Sequence, residues 1–383
     1  MEKRKNPAVR FKGFEDDWEQ RKLGEVTQKF KSGNSLKADK ISESGAYPVY
    51  GGNGLRGYTS TYNHEGEFAL IGRQGALCGN MNYFIGKAYF TEHAVAVEAD
   101  ENNNTRFMYY MLDTMNLGQY SDQSAQPGLA VNKLIKLENM FPKKEEQIKI
   151  ENYFQSIDHL ITLHQRKLEK LQLVKKSMLE KMFPKNGSKI PEIRFEGFAD
   201  DWEQRKLNDV AKFSKGNGYS KGDLIEAGTP IILYGRLYTN YETIISDVDT
   251  FVEAKDGSVY SKGREVIVPA SGETAEDIAR AASVDKSGIL LGGDLNVVMP
   301  NEEINSAFLA ISISNGSSQR ELAKKAQGKS VVHIHNEEIR NLVVPFPTKA
   351  EQNKIVDYFA NLDSLITLHQ SKLKSLKFIY TFF

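Results

Sequence analysis

Two segments of the chain carry hydrophobic residues in alternating steps of three and four. The first contains Ile150, Phe154, Ile157, Ile161, His164, Leu168, Leu171, Lys175, Met178 and Met182; the second contains Ile355, Phe359, Leu362, Ile366, His369, Leu373, Leu376, Tyr380 and Phe383. An average step of about 3.5 residues is typical of a coiled-coil seam, whereas a helix on a globular core has a wider apolar stripe. The pattern therefore predicts two long helices, over about 144–183 and 349–383.

The order of these helices along the chain suggests how they pair. A Phe-Pro pair at 141–142 and another at 346–347 precede them, and proline is tolerated at a helix start. If the seams pair within one chain, the helices must run antiparallel. The coiled-coil residues that we predict are Ile157, Ile161, His164, Leu168 and Leu171 with Leu362, Ile366, His369, Leu373 and Leu376. Two other arrangements stay open, in which each helix packs on its own neighbouring domain or pairs with another chain.

The chain also repeats itself outside these helices. The run from Arg10 to Leu23 returns, with few changes, from Arg194 to Leu207, and Leu160–Gln165 returns as Leu365–Gln370. The sequence between the repeated blocks does not match, and the second variable block is longer by about 21 residues. Internal repeats decide the architecture before any other signal. This one indicates a scaffold that holds two dissimilar modules in equivalent positions.

The variable blocks have the pattern of mixed α/β domains. In the first block, Phe68–Ile71 and Ala94–Val97 predict strands and Phe107–Leu117 predicts a helix. In the second block, strands are predicted at Ile231–Tyr234, Glu265–Val268 and Val331–Ile334, and a helix within 318–327. We therefore expect an α/β protein with an internal pseudo-two-fold repeat, in which an antiparallel two-helix coiled coil joins two domains. The predicted boundaries are 1–142 for the first domain, 143–185 for the first helix, 186–347 for the second domain and 348–383 for the second helix.

Composition excludes several classes of protein. Among 383 residues, 50 basic and 50 acidic side chains leave no net charge that would indicate a polyanionic partner. No apolar run is long enough to span a membrane, and the first residues do not have the pattern of a secretory signal. The single cysteine, Cys78, excludes an internal disulfide framework and thiolate zinc clusters. We expect a cytoplasmic protein with no membrane partner.

Motifs for catalysis or cofactor binding are not found. Gly328-Lys329-Ser330 resembles the end of a P-loop, but Ala323 occupies the position where that motif needs glycine. His333 and His335 could share one face of a strand and bind metal, but no third ligand is recognisable nearby. His164 and His369 occupy matching seam positions, where a polar residue more often fixes register. We predict no catalytic residue, no cofactor and no metal.

Interleaved aromatic, basic and amide residues in the variable blocks could contact nucleic-acid bases. Arginine and glutamine are the types that bond guanine and adenine through two hydrogen bonds in the major groove. The candidates are Tyr50, Asn53, Arg56, Arg73 and Gln74 in the first block, and Tyr234, Arg236, Tyr238, Ser271, Glu273 and Thr274 in the second. For each of them, ordinary packing in a loop or core is the alternative.

The repeated frame resembles that of one known family. The residues that carry the resemblance are Phe141-Pro142, Glu146-Gln147, Ile150, Tyr153-Phe154, Asp158, Leu160-Ile161 and the stretch Met178–Phe183, and again Pro347, Glu351-Gln352, Ile355, Tyr358-Phe359 and Asp363. They are similar to the region shared by DNA-specificity subunits of type I restriction-modification enzymes. The tandem layout covers essentially the whole chain. One departure is the end of the second helix, where Leu376–Phe383 is unlike Leu171–Met178.

The resemblance implies a non-catalytic subunit that binds double-stranded DNA. Each variable block would be a target-recognition domain for one half of a split sequence, and the helices would be both ruler and docking surface. Two adenine-methyltransferase subunits would bind there, and two restriction–translocation subunits would complete the complex. Two rival functions remain: a duplicated peptide- or carbohydrate-binding module, or a self-contained methyltransferase or nuclease.

Overall fold

The chain divides into two compact units. In the computed structural model, residues 6–121, 128–185, 188–328 and 331–380 are described. Unit 1 consists of Met1–Gln165 with Lys372–Phe383, and unit 2 consists of Arg166–Ser371. Each of the two long helices therefore contributes one part to each unit. Phe383 of the predicted seam, and Lys329 and Ser330 of the P-loop-like segment, lie outside the described residues.

Unit 1 has a six-stranded sheet with a helix packed on one face. Its elements are β1 (Glu19–Lys22), β2 (Thr27–Ser32), β3 (Tyr47–Gly51), β4 (Gly54–Thr59), β5 (His64–Gly72), β6 (Met81–Phe90), β7 (Ala94–Ala99), α1 (Thr105–Thr114), α2 (Val131–Leu134), β8 (Glu138–Phe141) and the long helix α3 (Lys144–Lys181). The strand order is β2-β7-β5-β6-β3-β4, and a separate pair joins β1 to β8. Only β3 and β6 run parallel among the registered pairs of this sheet.

The central strands of unit 1 are buried on both faces. Ala69 and Ile71 of β5 pack with Phe107 and Met108 of α1, while Phe68 and Leu70 belong to a smaller cluster on the other face. A strand covered on both faces has a continuous apolar run instead of an alternating pattern, which explains Phe68–Ile71 and Ala94–Val97. The helix begins earlier than the sequence predicted because the Asn104 side chain accepts a hydrogen bond from the Phe107 amide and caps it.

His64 lies inside the smaller cluster of unit 1, against the rings of Phe68 and Phe90. Its Nδ1 lies 2.8 Å from Oδ1 of Asn63, an oxygen that also accepts from the Phe90 amide. Burial, and then the neighbouring charges of Lys31 and Lys29, lower the pKa of His64 to about 4, while Glu98 acts in the opposite direction. The folded chain therefore holds this imidazole neutral at pH 7.

The lowered pKa of His64 predicts a loss of stability in mild acid. The neutral ring stabilises unit 1 above the unfolded pKa of roughly 6.5, and this contribution falls as the pH drops towards the folded value. Between pH 7 and pH 5 we expect a loss of about 2 kcal/mol. Hydrogen exchange of β5 and β6 in the full chain measures it. The His64→Gln variant should lack this part of the pH dependence; an unchanged profile would contradict the assignment.

Unit 2 has two five-stranded sheets. Its elements are β9 (Glu203–Lys206), α4 (Leu207–Val210), β10 (Ala211–Lys215), β11 (Leu224–Ile225), β12 (Thr229–Ile232), α5 (Arg236–Thr239), β13 (Ile244–Ile245), β14 (Phe251–Val252), β15 (Tyr260–Lys262), β16 (Glu265–Pro269), β17 (Ser271–Gly272), α6 (Ala275–Ile278), β18 (Ala282–Val284), β19 (Ser287–Leu291), β20 (Leu295–Pro300), α7 (Ser306–Ile313), α8 (Gly316–Lys325), β21 (Val332–His333), α9 (Asn336–Arg340), β22 (Val343–Phe346) and the long helix α10 (Lys349–Ile379). The sheets have the orders β10-β20-β16-β18-β13 and β11-β14-β12-β19-β15.

The core of unit 2 lies between the first of these sheets and its helices. Val266 and Val298 of the sheet pack with Phe308 and Leu309 of α7 and with Trp202. Trp202 lies in the second of the two repeated lead segments, Arg10–Leu23 and Arg194–Leu207. The three predicted strands are present with shifted ends, because hydrogen bonding and not hydrophobicity fixes where each strand stops. His335 in particular lies beyond β21, at the N-cap of α9, but its ring still stacks on that of His333, with the two ring centroids 6.4 Å apart.

The two long helices run antiparallel where they meet. In unit 1 the Tyr380 hydroxyl donates to Asp158, and in unit 2 Lys175 forms an ion pair with Asp363. Tyr380, directly after α10, pairs with the middle of α3, whereas Asp363, in the middle of α10, pairs with a later residue of α3, as in antiparallel helices. Leu376 and Ile379 pack on Phe154 and Ile157 of unit 1. The predicted α/β fold with a coiled coil between two repeats is therefore confirmed.

The residues along the predicted seam are buried or half-buried, and most of those between them are exposed. The structure gives this burial for Ile157, Ile161, His164, Leu168, Leu171, Leu362, Ile366, His369, Leu373 and Leu376. The helix α3 ends at Lys181, just before the Phe183-Pro184 stop. Within the described ranges, neither long helix nor any other is apolar over a length that would cross a bilayer.

Candidate nucleic-acid interface

A buried ion pair ties the lead segment of each unit to its long helix. Arg10 donates to both carboxylate oxygens of Glu146, each at 2.7 Å, and Arg194 donates to those of Glu351 at 2.7 and 2.8 Å. The Glu146 and Glu351 side chains are only 2% and 1% exposed. This two-bond geometry fixes the guanidinium in one orientation. The repeated arginine and glutamate of the sequence therefore form the same ion pair in both units.

A glutamine next to each glutamate ties the same helix to the variable block. Oε1 of Gln147 accepts from the amide of Asn104 at 2.9 Å, and Oε1 of Gln352 accepts from the amide of Asn305 at 2.8 Å. Both asparagines are the N-caps of helices, α1 in unit 1 and α7 in unit 2. The repeated Glu-Gln therefore positions the α/β core of each unit on the long helix, and with it the loops that differ between units.

In unit 1 the structure brings the predicted candidate residues into one region. The backbones of Gly52, in the β3–β4 turn, and Gly72, at the end of β5, approach so closely that a Cβ on Gly72 would lie 2.4 Å from the Gly52 carbonyl oxygen. A Cβ on Gly52 would lie 3.2 Å from the carbonyl oxygen of Gln74. Glycine is required at this approach. The turn that carries Asn53, with Arg56 close behind it on β4, therefore lies beside Arg73 and Gln74.

These candidates in unit 1 differ in whether their side chains are available. Asn53, Arg56 and Gln74 are exposed. Arg73 donates to the carbonyl oxygens of Leu129 at 3.3 Å and Glu92 at 3.4 Å, so its donors hold neighbouring loops together. Tyr50 packs on Phe84 and Phe90, and burial raises its pKa. The exposed donors and acceptors of this region are therefore those of the turn and of Gln74.

In unit 2 the candidates form a second polar cluster around β17. The Tyr238 hydroxyl donates to the Ser271 carbonyl at 2.8 Å, and Oγ of Ser271 lies 3.3 Å from Nδ1 of His333 and 3.4 Å from Oδ2 of Asp294. Burial raises the pKa of Tyr238, so its hydroxyl stays a donor. Sequence reasoning considered His333 only as a metal ligand, and its pairing with β17 is a contact that no local pattern signals.

The Ser271, His333 and Asp294 side chains do not form a catalytic triad. In a triad the carboxylate bonds the second nitrogen of the imidazole and orients it. Here the carboxylate and the imidazole both approach the serine hydroxyl. Within the part of the chain that the structure describes, no three His, Cys, Asp or Glu side chains are grouped for metal binding. The arrangement is suited to hydrogen bonding with a polar ligand.

The four remaining candidates in unit 2 have different surroundings. Arg236 forms ion pairs with Glu242 at 2.7 Å and Asp249 at 3.0 Å, and its side chain is 11% exposed. Thr274 caps α6 by accepting from the Asp277 amide at 3.1 Å. Tyr234 is 38% exposed, and Glu273 is also exposed. Arg236 and Thr274 therefore support their own loops, while Tyr234 and Glu273 face solvent.

Comparison with known proteins identifies the family. The family model described as type I restriction modification DNA specificity domain matches the chain twice, over residues 15–173 and 199–377. The chain belongs to this family. It is a type I restriction-modification specificity subunit, whose role is DNA recognition and not catalysis. The resemblance predicted from the repeated frame is therefore confirmed.

Several proteins named as specificity subunits are similar to this one. The type I restriction enzyme EcoprrI specificity subunit of Escherichia coli is 43% identical over 160 residues, which are 41% of this chain and 40% of that protein. A putative specificity subunit of Haemophilus influenzae, S.HindORF215P, is 23% identical over 93% of this chain and 91% of its own length. The MjaVIII specificity subunit of Methanocaldococcus jannaschii is 22% identical over 94% and 90%.

Solved structures show the same fold. The S subunit of a type I restriction-modification system from M. genitalium has a TM-score of 0.69 at 15% identity, over 98% of this chain and 96% of that one. A chain from a study of type I complex assembly and conformational transition has a TM-score of 0.52 at 13% identity, covering 96% of each. Identities this low describe the architecture alone.

Proposed function

We propose that this specificity subunit recognises a split DNA sequence, with one unit for each half. The observation that carries the proposal is the repeated frame. The pairs Arg10–Glu146 and Arg194–Glu351, with Gln147 and Gln352 beside them, hold two dissimilar sets of loops on equivalent long helices. A scaffold that repeats its supports and varies its loops suits a target whose two halves differ in sequence.

The chemistry of each loop cluster supports base contacts in the major groove. Unit 1 offers Asn53, Arg56 and Gln74 at one end of its sheet, and unit 2 offers Tyr234, Glu273 and the cluster at Ser271. Arginine bonds guanine, asparagine and glutamine bond adenine, and glutamate accepts from the cytosine amino group. The two clusters differ in composition and charge, as expected if the half-sites differ.

The paired helices serve, in this proposal, as spacer and as docking surface. Two adenine-methyltransferase subunits bind them, and two restriction–translocation subunits join the complete complex in the cytoplasm. The partner enzyme must turn the target adenine out of the helix, because its reactive nitrogen is engaged in base pairing. This chain carries 50 basic and 50 acidic residues. Partners that supply much of the phosphate contact would explain why the recognition subunit itself has no net charge.

Methylation mapping tests the proposed function. The chain is expressed with its modification subunits in a host free of other adenine methylation, and modified adenines are located by single-molecule sequencing. We expect one split motif, and no methylated motif when this chain is omitted. A module for peptides or carbohydrates would leave the genome unmodified. Methylation by this chain without partners would instead favour a self-contained enzyme.

Arg56 is the side chain in unit 1 whose replacement should most directly change base preference. Its guanidinium is exposed on β4, beside the turn at Asn53. For Arg56→Ala in the assembled complex we expect a loss of about 1–3 kcal/mol in binding the cognate duplex. Competition with duplexes altered in one half-site measures this loss. It should disappear when the unit-1 half-site is already altered, and the melting temperature should not change.

Arg236→Ala is the matched control for Arg56→Ala in the other unit. Its guanidinium is held by Glu242 and Asp249, so we expect lower stability of unit 2 and no new base preference. An equal loss of affinity for all duplexes with Arg56→Ala would indicate a phosphate contact. That result would remove Arg56 from the base-reading residues.

A further inference from the structure

Unit 1 contains an apolar cavity of about 320 Å³ beside the start of its long helix. Its walls come from the lead segment, from α1 and from α3, and they include the aromatic rings of Trp18, Phe107 and Phe154. The candidate DNA-binding residues of unit 1 are not among those that line the cavity. The proposed function therefore does not use it.

Unit 2 has the same three rings at the equivalent place, but there a phenylalanine fills the space between them. Phe183, just beyond the end of α3, is buried together with Met182. Its ring centroid lies 5.9 Å from that of Trp202, 5.8 Å from that of Phe308 and 6.5 Å from that of Phe359. The repeat makes these rings the counterparts of the three in the unit-1 cavity. It therefore shows which side chain such a place accepts.

The lead segment that borders the cavity is more exposed than its copy in unit 2. Val9 is 65% exposed, whereas its counterpart Ile193 is half-buried and packs against the core that contains Phe183. Trp18 is half-buried, whereas Trp202 is fully buried. Both Val9 and Trp18 line the cavity. Unit 1 therefore leaves exposed the kind of apolar surface that the end of α3 covers in unit 2.

The lead segment also offers a backbone hydrogen-bond donor beside the cavity. In unit 2 the amide of Ile193 donates to the carbonyl oxygen of Lys181, the last residue of α3, at 2.9 Å. The last carbonyl groups of a helix have no partner within the helix, so this bond satisfies one of them. The corresponding donor in unit 1 is the amide of Val9, which has no hydrogen-bond partner among the residues that the structure describes. Unit 1 thus offers both a free donor and an aromatic cavity to the end of a helix.

The Met-Phe pair of this chain is not available to fill the cavity. Met182 and Phe183 belong to the core of unit 2, and withdrawing them would open a cavity in that core. The same holds for every further copy of the chain. The occupant that fits the donor and the rings is therefore the end of a helix from a different polypeptide.

We propose that the unit-1 cavity is a docking site for a partner polypeptide that ends a helix with a Met-Phe pair. The phenylalanine ring of the partner lies between the three rings of the cavity wall. The carbonyl oxygen two residues before it accepts a hydrogen bond from the amide of Val9, as Lys181 does from Ile193 in unit 2. The site concerns how this subunit is assembled with a partner, and it does not rest on base recognition by the loops.

A peptide with the sequence of residues 175–184 is the probe for this docking site. When it binds the full chain, we expect slower hydrogen exchange in α1 and at the Val9 amide, and no change in α7 of unit 2. The peptide carrying Phe183→Ala should bind roughly ten- to a hundredfold more weakly, because it does not bury an aromatic ring. Slower exchange in α7 alone would mean that the peptide replaces Phe183 in unit 2, and would overturn the proposal.

The Val9→Glu variant tests whether the peptide binds beside the lead segment. Val9 is exposed, so the substitution should not change folding, but it places a carboxylate next to the negative end of the docked helix. We expect at least tenfold weaker binding of the peptide. Ile85→Glu is the matched control, because Ile85 is 60% exposed on β6 and does not line the cavity. Equal binding to both variants would contradict the proposed site.

A chain shortened to residue 380 tests whether the last residues of the protein itself occupy the cavity. We expect this chain to bind the peptide as tightly as the full chain does. Binding at least tenfold tighter to the shortened chain would assign the cavity to residues 381–383 and overturn the proposal, as would no binding to either chain. None of these measurements involves DNA, so the proposed function stands or falls separately.

Discussion

Replacing Glu351 with alanine is expected to lower the free energy of unfolding of unit 2 by about 3 kcal/mol. The carboxylate is 1% exposed and accepts two hydrogen bonds from Arg194, whose Nη1 is already buried without a hydrogen-bond partner. Removing the carboxylate leaves a buried positive charge with no counter-charge. The loss of stability on removing Glu351 is therefore larger than the stability that the intact Arg194–Glu351 pair adds. In the intact pair, the attraction between the two charges offsets their loss of hydration.

The structure supplies a matched control for this prediction. Arg205 and Glu303 form an ion pair of the same length, 2.7 Å, but the glutamate side chain is 56% exposed. Glu303→Ala should therefore cost less than about 1 kcal/mol. Denaturant unfolding monitored by hydrogen exchange reports each unit separately. Glu146→Ala should repeat the effect in α1 and not in α7. Equal, small losses for Glu351→Ala and Glu303→Ala would contradict this prediction. The buried Arg194–Glu351 pair would then contribute no more to stability than an exposed ion pair does.

Lengthening both long helices is expected to lengthen the gap in the DNA target. Four residues inserted after Gln165 and four after Ser371, the boundaries between the units, add about 6 Å of helix. At 3.4 Å per base pair this corresponds to one or two additional base pairs between unchanged half-sites. Adenine methylation mapped by sequencing measures the gap directly. The effect is all-or-none, because the original sites should no longer be methylated.

Insertion in only one helix is the control for the paired insertions. One helix is then four residues longer than the other. Either Tyr380 can no longer reach Asp158, or Lys175 can no longer reach Asp363. We expect lower stability and weak methylation and no clean new gap. If the paired insertions leave the gap unchanged, the length of the helices does not set the spacing between the two half-sites.

The long helices could be predicted from sequence because their signal is local. Apolar residues at coiled-coil spacing, a proline before each helix and a Phe-Pro after the first fixed both elements within a few residues. The end of the second helix departs from the repeat, and the structure shows the physical reason. Tyr380 replaces Lys175 at the corresponding position and bonds Asp158, as Lys175 bonds Asp363. A hydroxyl donor thus takes the place of an ammonium group.

The role of individual arginines could not be predicted in the same way. Arg56, Arg73 and Arg236 all lie in glycine- or tyrosine-rich stretches of sequence, and sequence alone makes them equivalent candidates. Arg73 is held by two carbonyl groups, one of them 56 residues away, and Arg236 is held by two carboxylates, while Arg56 is exposed. Whether a guanidinium is available to a ligand depends on which acceptors the fold brings near it.

The pairing of Arg10 with Glu146 shows the same limit for the frame. Both residues recur at Arg194 and Glu351, so the repeat marked them as equivalent, but 136 residues separate the partners in the first copy. Their contact follows only once the lead segment lies against the start of the long helix. Repetition in the sequence identified which residues matter, and the tertiary structure identified what they do.

Exchange of the first variable block tests most directly whether the two units recognise their half-sites independently on a common scaffold. Residues between the end of β1 and the start of β8 are replaced by those of a related specificity subunit, while the repeated lead and both long helices are kept. Methylated adenines are then mapped in cells that supply the modification subunits. We predict a motif in which one half-site has changed and the other half-site and the gap are the same. A change in both half-sites would contradict independent recognition by the two units.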